Sequence, residues 1–165
     1  MASRFEYSVA YPFSTGRLWE LVSAENYWAD LIRAINGDRG SLDEFARDGD
    51  AVTVVMTQCI PEAALPSIVT KVRPGDLKIP RRLDLTYAGG TIIGNATAGV
   101  SGVSASITAT QTTSGEQAST LYRGEIKVGV PLVGGKIEKI LQGELVSLFD
   151  AERDTTVDWE RANGQ

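Results

Sequence analysis

The sequence predicts an α+β domain in which a curved antiparallel sheet packs against one long C-terminal helix. Three patterns support this: alternating segments in the middle of the chain, two short helical segments near its start, and a proline-free stretch from Val133 to Ala162. In that stretch apolar residues recur every three to four positions as far as Phe149, which is typical of one buried helical stripe. Because the mean globular helix has only about 11–12 residues, a helix this long must lie across a broad surface.

The N-terminal part of the chain predicts one strand followed by two short helices. Apolar residues alternate over Arg4–Tyr11, as expected for a strand with one buried face. Ser14 is a residue type that caps helix N-termini well. Apolar residues then recur at helical spacing, with an interruption near residues 23–26 that predicts two helices rather than one. The pair Asn36-Gly37 is typical of a helix C-terminus.

The middle of the chain predicts an antiparallel meander of roughly five or six strands. Apolar and polar residues alternate in its segments, and glycine-containing turns separate them. The segments are residues 41–47, 51–60 and 81–87, the long stretch 91–112, and residues 120–128. Residues 65–72 fit either a short helix or an edge strand. Glycines cluster between Gly89 and Gly102, and because glycine inside strands often marks bends, we expect strong curvature, with the C-terminal helix covering the concave face.

The charge of the chain excludes some partners. Its formal net charge is −5, which argues against nucleic acid, since binding to phosphates depends on Lys and Arg. No apolar run approaches the length of about 18 residues that a membrane-spanning helix needs. The N-terminus enters an alternating pattern at once and lacks the apolar core of a secretory signal. We therefore expect a cytoplasmic protein without integral membrane association; the oligomeric state is left open.

The residue inventory predicts no catalytic residue, no metal site and no cofactor. The chain has no histidine, which removes the commonest general base and metal ligand, and Cys59 is its single cysteine. We interpret Cys59 as a small buried apolar residue. The glycine-rich run 129–137 lacks the Lys-Ser/Thr pair of a phosphate-binding loop and is interpreted as a sharp turn into the helix. Binding of a carboxylate or other anion by the backbone amides at the helix start is the alternative.

A cluster of acidic residues near the C-terminus has the composition of a metal site but not its spacing. Asp150, Glu152, Asp154 and Asp158 spread over several faces of a helix, and Arg153 lies among them. We interpret the cluster as a solvated surface. Arg33 is also expected at the surface, since a buried arginine needs a partner.

Two stretches resemble the START-like (SRPBCC, helix-grip) superfamily, which includes birch-pollen-allergen-like proteins, lipid-transfer domains and polyketide cyclases. YPFSTGRLWELVSAENYWADLI is similar to the superfamily's first strand and paired helices, and GEIKVGVPLVGGKIEKIL resembles an uncharacterised actinobacterial family within it. VPLVGGKIEK is the most specific part. The resemblance covers nearly the whole chain and implies a single START-like domain over residues 1–165. It implies a sheet of about seven strands around the C-terminal helix and a cavity between them, but no active-site residues.

The expected cavity lining follows from the inward faces of the strands and the helix. Small residues such as Ala105, Ala109 and Gly124 on the sheet would leave volume beneath the helix. Tyr87 and Tyr122 carry hydroxyls that could orient a ligand. The predicted lining comprises Trp28, Ile35, Val54, Met56, Leu85, Tyr87, Ile107, Tyr122, Ile126, Ile137, Leu141, Leu145 and Phe149, with Gln58 and Gln111 as polar residues that could point inward.

The leading hypothesis is non-catalytic binding or transport of a small hydrophobic or amphipathic ligand, lipid-like or polyketide-like, in this cavity. A polyketide cyclase or hydratase is the alternative, in which a tyrosine or carboxylate acts as acid or base. A polar residue and a tyrosine hydroxyl deep in the cavity would favour that enzyme. A third possibility is an interaction protein with a filled core.

Overall fold

The computed structural model describes residues 2–163 and has the predicted order of elements. The strands are β1 (Ala2–Ala10), β2 (Ser41–Asp48), β3 (Ala51–Ile60), β4 (Leu77–Ala88), β5 (Thr91–Val100), β6 (Val103–Ser114) and β7 (Ser119–Val128). The helices are α1 (Thr15–Val22), α2 (Glu25–Asn36), α3 (Ser67–Val72) and α4 (Gly134–Asn163), with short 3₁₀ turns at Gly37–Arg39 and Glu62–Ala64. The α+β class, the paired N-terminal helices and the long C-terminal helix are confirmed.

The strands form one seven-stranded antiparallel sheet in the order β1-β7-β6-β5-β4-β3-β2. The stretch 91–112 is two strands, because Ser101 and Gly102 turn the chain and Gly102 has a φ of 80°. Residues 65–72 contain the short helix α3 rather than an edge strand, and β4 begins at Leu77 rather than Arg81. Register shifts at Leu42/Glu44 and Gly99/Val100 interrupt the regular ladders, as bulges in a curved sheet do.

The paired helices begin and end where local sequence signals place them. The Ser14 side chain accepts a hydrogen bond from the Arg17 backbone N–H at 3.1 Å and caps α1. Gly37 follows α2 with a φ of 58°, a conformation that suits glycine. The helix α2 in turn contacts α4, where the hydroxyls of Tyr27 and Thr156 lie 2.7 Å apart.

The helix α4 lies across β1, β7 and α2 and buries a stripe that is not wholly apolar. Ile137, Leu141 and Phe149 belong to the core, and Glu138 and Glu152 are buried beside them. The Glu138 carboxylate accepts hydrogen bonds from the hydroxyl of Ser3 at 2.7 Å and the backbone N–H of Val128 at 3.0 Å, and these bonds lower its pKa. The start of α4 is therefore fixed to both β1 and β7. Within residues 2–163, no helix is long and apolar enough to cross a bilayer.

One pair of glycines allows a matched test of this packing. At Gly124 on β7, a Cβ atom would lie 2.5 Å from the Thr108 carbonyl oxygen and 2.6 Å from the Phe5 ring, whereas at Gly143 on α4 it would meet nothing within 4 Å. We expect Gly124→Ala to lower the free energy of unfolding by about 1–3 kcal/mol. Gly143→Ala should raise it by about 0.5–1 kcal/mol, because alanine is the better helix former. Urea denaturation measures both, and a change of the same sign in the two variants would contradict the packing.

Candidate functional site

A cavity of about 310 Å³ lies between the inner face of the sheet and α4. On the sheet side the cavity is lined by small residues: Ala96 and Ala98 on β5 and Ala109 on β6 have no side-chain atoms beyond Cβ and leave room for it. Larger apolar residues complete the wall: Phe5, Ile35, Ile60, Ile79, Ile107, Leu141, Leu145, Leu148 and Phe149. Of the small residues that the sequence predicts here, Ala109 lines the cavity, Ala105 borders a separate small space, and Gly124 lines neither.

The cavity reaches the surface between the end of α2, the segment after β3 and one side of α4. Ala64 and Ser147, which are both exposed, line it there, together with the half-buried Glu144. Asn36 belongs to the same part of the wall. Its Nδ2 donates to the Cys59 carbonyl oxygen at 3.2 Å, while its Oδ1 is buried and has no partner among the described residues. The mouth therefore carries polar groups, while the middle of the cavity is apolar.

The inner end of the cavity holds a buried ion pair. Arg81 Nη1 lies 2.6 Å from Glu152 Oε2, and Nη2 lies 3.4 Å from Oε1. Nη1 also donates to Gln58 Oε1 at 3.2 Å. Burial opposes the charge on the guanidinium, but the adjacent Glu152 carboxylate outweighs it and raises the pKa of Arg81. Arg81 is therefore a charged group whose charge is already balanced.

Arg81, Gln111 and Tyr122 together form what we call the polar floor of the cavity. All three also line a smaller void of about 40 Å³ behind them, which Glu152 lines from the other side. The Tyr122 ring stacks on Phe149, with centroids 3.9 Å apart and planes 4° from parallel. Burial, and then the Glu152 carboxylate, raise the pKa of Tyr122 well above its usual value, so its hydroxyl stays protonated. The floor therefore places polar side chains at one end of a cavity that is otherwise largely apolar.

The structure brings together six of the residues predicted to line a cavity. These are Ile35, Ile107, Tyr122, Leu141, Leu145 and Phe149. The two predicted polar residues, Gln58 and Gln111, also line it. Contact of any of them with a ligand stays a prediction.

The other predicted lining residues lie outside this cavity. Trp28 and Leu85 border the smaller void, and Ile137 borders a third space of about 10 Å³ next to α3. Val54, Met56 and Ile126 are fully buried in the core. Tyr87 is half-buried and stacks on Trp19, with ring centroids 5.3 Å apart. These residues face inward as predicted, but packing by α1 and α2 fills the space next to several of them.

The interpretation of the acidic cluster as solvated is wrong for Glu152, because this residue is only 7% exposed. Asp154 and Asp158 are exposed, and Asp150 accepts a hydrogen bond from the Tyr7 hydroxyl at 2.6 Å. No group of three or more acidic or cysteine side chains within residues 2–163 could hold a metal ion.

The remaining predictions for single polar residues agree with the structure. Arg33 is at the surface, with its side chain 74% exposed, and Cys59 is buried. The arginine that is buried with a partner is Arg81, which was not among the predicted site residues.

Two comparisons of the sequence find relatives of unknown function. The family model described as a protein of unknown function (DUF2505) matches residues 6–159. An uncharacterised protein of Mycobacterium tuberculosis, Rv0481c, is 28% identical over 173 residues, which cover 96% of this chain and 97% of that protein. An uncharacterised Mycobacterium bovis protein, Mb0491c, matches with the same identity and coverage.

Solved structures share the fold at very low identity. Protein Ms6760 of Mycobacterium smegmatis has a TM-score of 0.56 and 9% identity, over 96% of this chain and 91% of that one. Ara h 8.0201 has a TM-score of 0.55 and 8% identity, over 96% and 99% of the two chains. At such identities the likeness shows the fold alone, and that fold is the helix-grip fold of birch-pollen-allergen-like proteins. The chain belongs to the DUF2505 family and has the START-like, helix-grip fold that its sequence resembles.

Proposed function

We propose that the protein binds a small, largely apolar ligand in the cavity beneath α4 and carries it without chemical change. The observation that supports this is the cavity itself, whose volume of about 310 Å³ is at the lower end of the range of about 300–1,000 Å³ for ligand pockets. Its wall is mostly apolar, and each ligand CH₂ buried there would contribute about 0.8 kcal/mol. The same volume argues against a protein with a filled core that acts only through its surface.

The polar floor favours an amphipathic ligand over a pure hydrocarbon. Arg81, Gln111 and Tyr122 lie at one end of the cavity, whereas Leu141 and Leu145 lie along its helix side. A ligand with one polar group could place that group on the floor and its apolar part against α4. Few, well-placed polar groups in an apolar pocket commonly fix the orientation of a ligand in this way.

An enzyme of the polyketide cyclase type is the second candidate, because Tyr122 lines the cavity and the Glu152 carboxylate lies next to its floor, on the smaller void. Their environment favours binding over proton transfer. Burial raises the pKa of Tyr122, so the hydroxyl is a hydrogen-bond donor and a poor base near neutral pH. The Glu152 carboxylate is already bound by Arg81, and it lines the smaller void rather than the cavity.

Binding can be tested with Nile red, a neutral dye whose fluorescence rises in apolar surroundings, and by native mass spectrometry of the purified protein. Ala109→Leu should weaken dye binding by about tenfold or more, because the added carbon atoms would occupy the cavity. Ala46→Leu is the matched control, since Ala46 is exposed on β2. A ligand recovered unchanged would support carriage over catalysis. Equal dye binding by wild type and Ala109→Leu would contradict the proposed site.

A further inference from the structure

We propose that the cavity selects ligands whose polar group is uncharged, a hydroxyl or a carbonyl, and rejects carboxylates such as free fatty acids. This inference rests on the proposed function and names the chemical class of its ligand. It follows from the distribution of charge around the cavity, which distinguishes two ligands that the apolar wall would bind equally well.

The first step is the count of charges on the wall. Among the described residues, Arg81 is the single cationic side chain that lines the cavity, and Glu144 near the mouth is its acidic counterpart. Arg81 already holds Glu152 through two contacts, and the side chains of the pair are only 8% and 9% exposed. The inner end is therefore neutral overall, and the mouth carries a negative charge.

The second step is the cost of placing a carboxylate in that environment. An ionised carboxylate that leaves water needs a counterion, and the floor has no free one. To take Arg81 for itself, the ligand would have to displace Glu152, which would then be buried without a partner. That exchange gains one ion pair and loses another, so it gives the carboxylate no net compensation for its own desolvation.

An uncharged hydroxyl or carbonyl group needs no counterion in the cavity. The Tyr122 side chain lines both the cavity and the smaller void, and because its hydroxyl remains protonated it brings no charge to the floor. The Gln111 side chain is half-buried on the same floor, and its amide both donates and accepts. A hydroxyl can therefore be paired as donor and acceptor without disturbing the ion pair.

The test compares decanol with decanoate, which share one chain length, as competitors of Nile red near neutral pH, where decanoate is ionised. In the wild-type protein, decanol should compete at least about tenfold better than decanoate. In Glu152→Gln, Arg81 loses its anionic partner, and the affinity for decanoate should rise relative to decanol by about tenfold. The ratio of the two affinities is compared between variants, because the difference in hydration between free decanol and free decanoate is the same in every variant and cancels. Glu125→Gln, the same change at an exposed position on β7, should leave the ratio unchanged.

A second variant keeps the test decisive if Glu152→Gln does not fold. Gln111→Lys adds a cation to the floor without touching the ion pair, and it should also favour decanoate. The inference is overturned if decanoate matches decanol in the wild-type protein, or if the ratio stays constant in whichever of the two variants folds. Failure of the proposed function looks different, because then neither Nile red nor decanol binds the wild-type protein.

Discussion

Replacing Arg81 with methionine is expected to lower the free energy of unfolding by about 3–5 kcal/mol. The substitution keeps an apolar stem in the core but leaves the buried Glu152 carboxylate, whose side chain is only 9% exposed, without its counterion. An unpaired buried charge is far more costly than the loss of a contact, because nothing replaces the hydration it gave up. Urea denaturation near neutral pH measures the change, and the Tm should fall by about 2–4 °C for each kcal/mol.

The neighbouring arginine provides a matched control. Arg82 pairs with Asp84 at 2.9 Å, but its side chain is 55% exposed. Arg82→Met should therefore cost less than about 1 kcal/mol. The double variant Arg81→Met/Glu152→Leu removes both charges and should recover most of the stability lost in Arg81→Met. If Arg81→Met and Arg82→Met were equally stable, the ion pair would not be buried as the structure has it.

The double variant also bears on the role of the ion pair. Apolar pairs of similar volume often stabilise a protein as well as a buried ion pair does. Stability is therefore a weak reason for Arg81 and Glu152 to lie in this core. A polar end to the cavity is a role that an apolar pair could not fill, and this makes ligand selection the more economical explanation of the charges.

The sequence predicts the fold well because its local patterns and its tertiary structure agree. Residues 51–60 alternate between the two faces of β3, and the apolar stripe from Val133 to Phe149 marks the face of α4 that the sheet covers. Such patterns record which side of an element is buried. The turn at Ser101 and Gly102 was missed, because the small residues on either side alternate without an obvious break.

The buried charges were missed although each has a signal in the sequence. Arg81 is in phase with Leu83 and Leu85, so an alternating strand places it on the buried face. Glu152 lies three residues after Phe149 on the buried stripe of the helix. Taken alone, each of these charged residues is expected at the surface. Two opposite charges, each in phase with the core on elements that face each other, predict a buried pair.

The cavity and its exact lining could not be predicted in the same way. Val54 and Ile107 both face inward, yet the first lies in filled core and the second borders the open space. The difference depends on how far α4 stands from each strand and on where α1 and α2 pack. These distances are set by the sum of many side-chain contacts, which no local pattern records.

Replacing Phe149 with alanine should have large and opposite effects on stability and ligand binding: the free energy of unfolding should fall and the affinity for a ligand should rise. Its ring stacks on Tyr122, lies 6.2 Å from the Phe5 ring centroid, and also borders the cavity. Phe149→Ala should lower the free energy of unfolding by about 3–5 kcal/mol, as expected for loss of a buried aromatic side chain. Phe45→Ala is the control, because Phe45 is only half-buried on the edge strand β2 and should cost less.

The same substitution should enlarge the cavity, because the space of the lost ring adjoins it. A ligand that binds only the folded state raises Tm in proportion to the logarithm of its concentration over Kd. Nile red should therefore raise the Tm of Phe149→Ala more than that of the wild-type protein. Thermal unfolding with and without dye measures both effects in one experiment. If Phe149→Ala is destabilised and Nile red does not raise its Tm, then α4 has collapsed onto the sheet in the variant. In that case the cavity of the wild-type protein depends on Phe149 to keep the helix away from the strands.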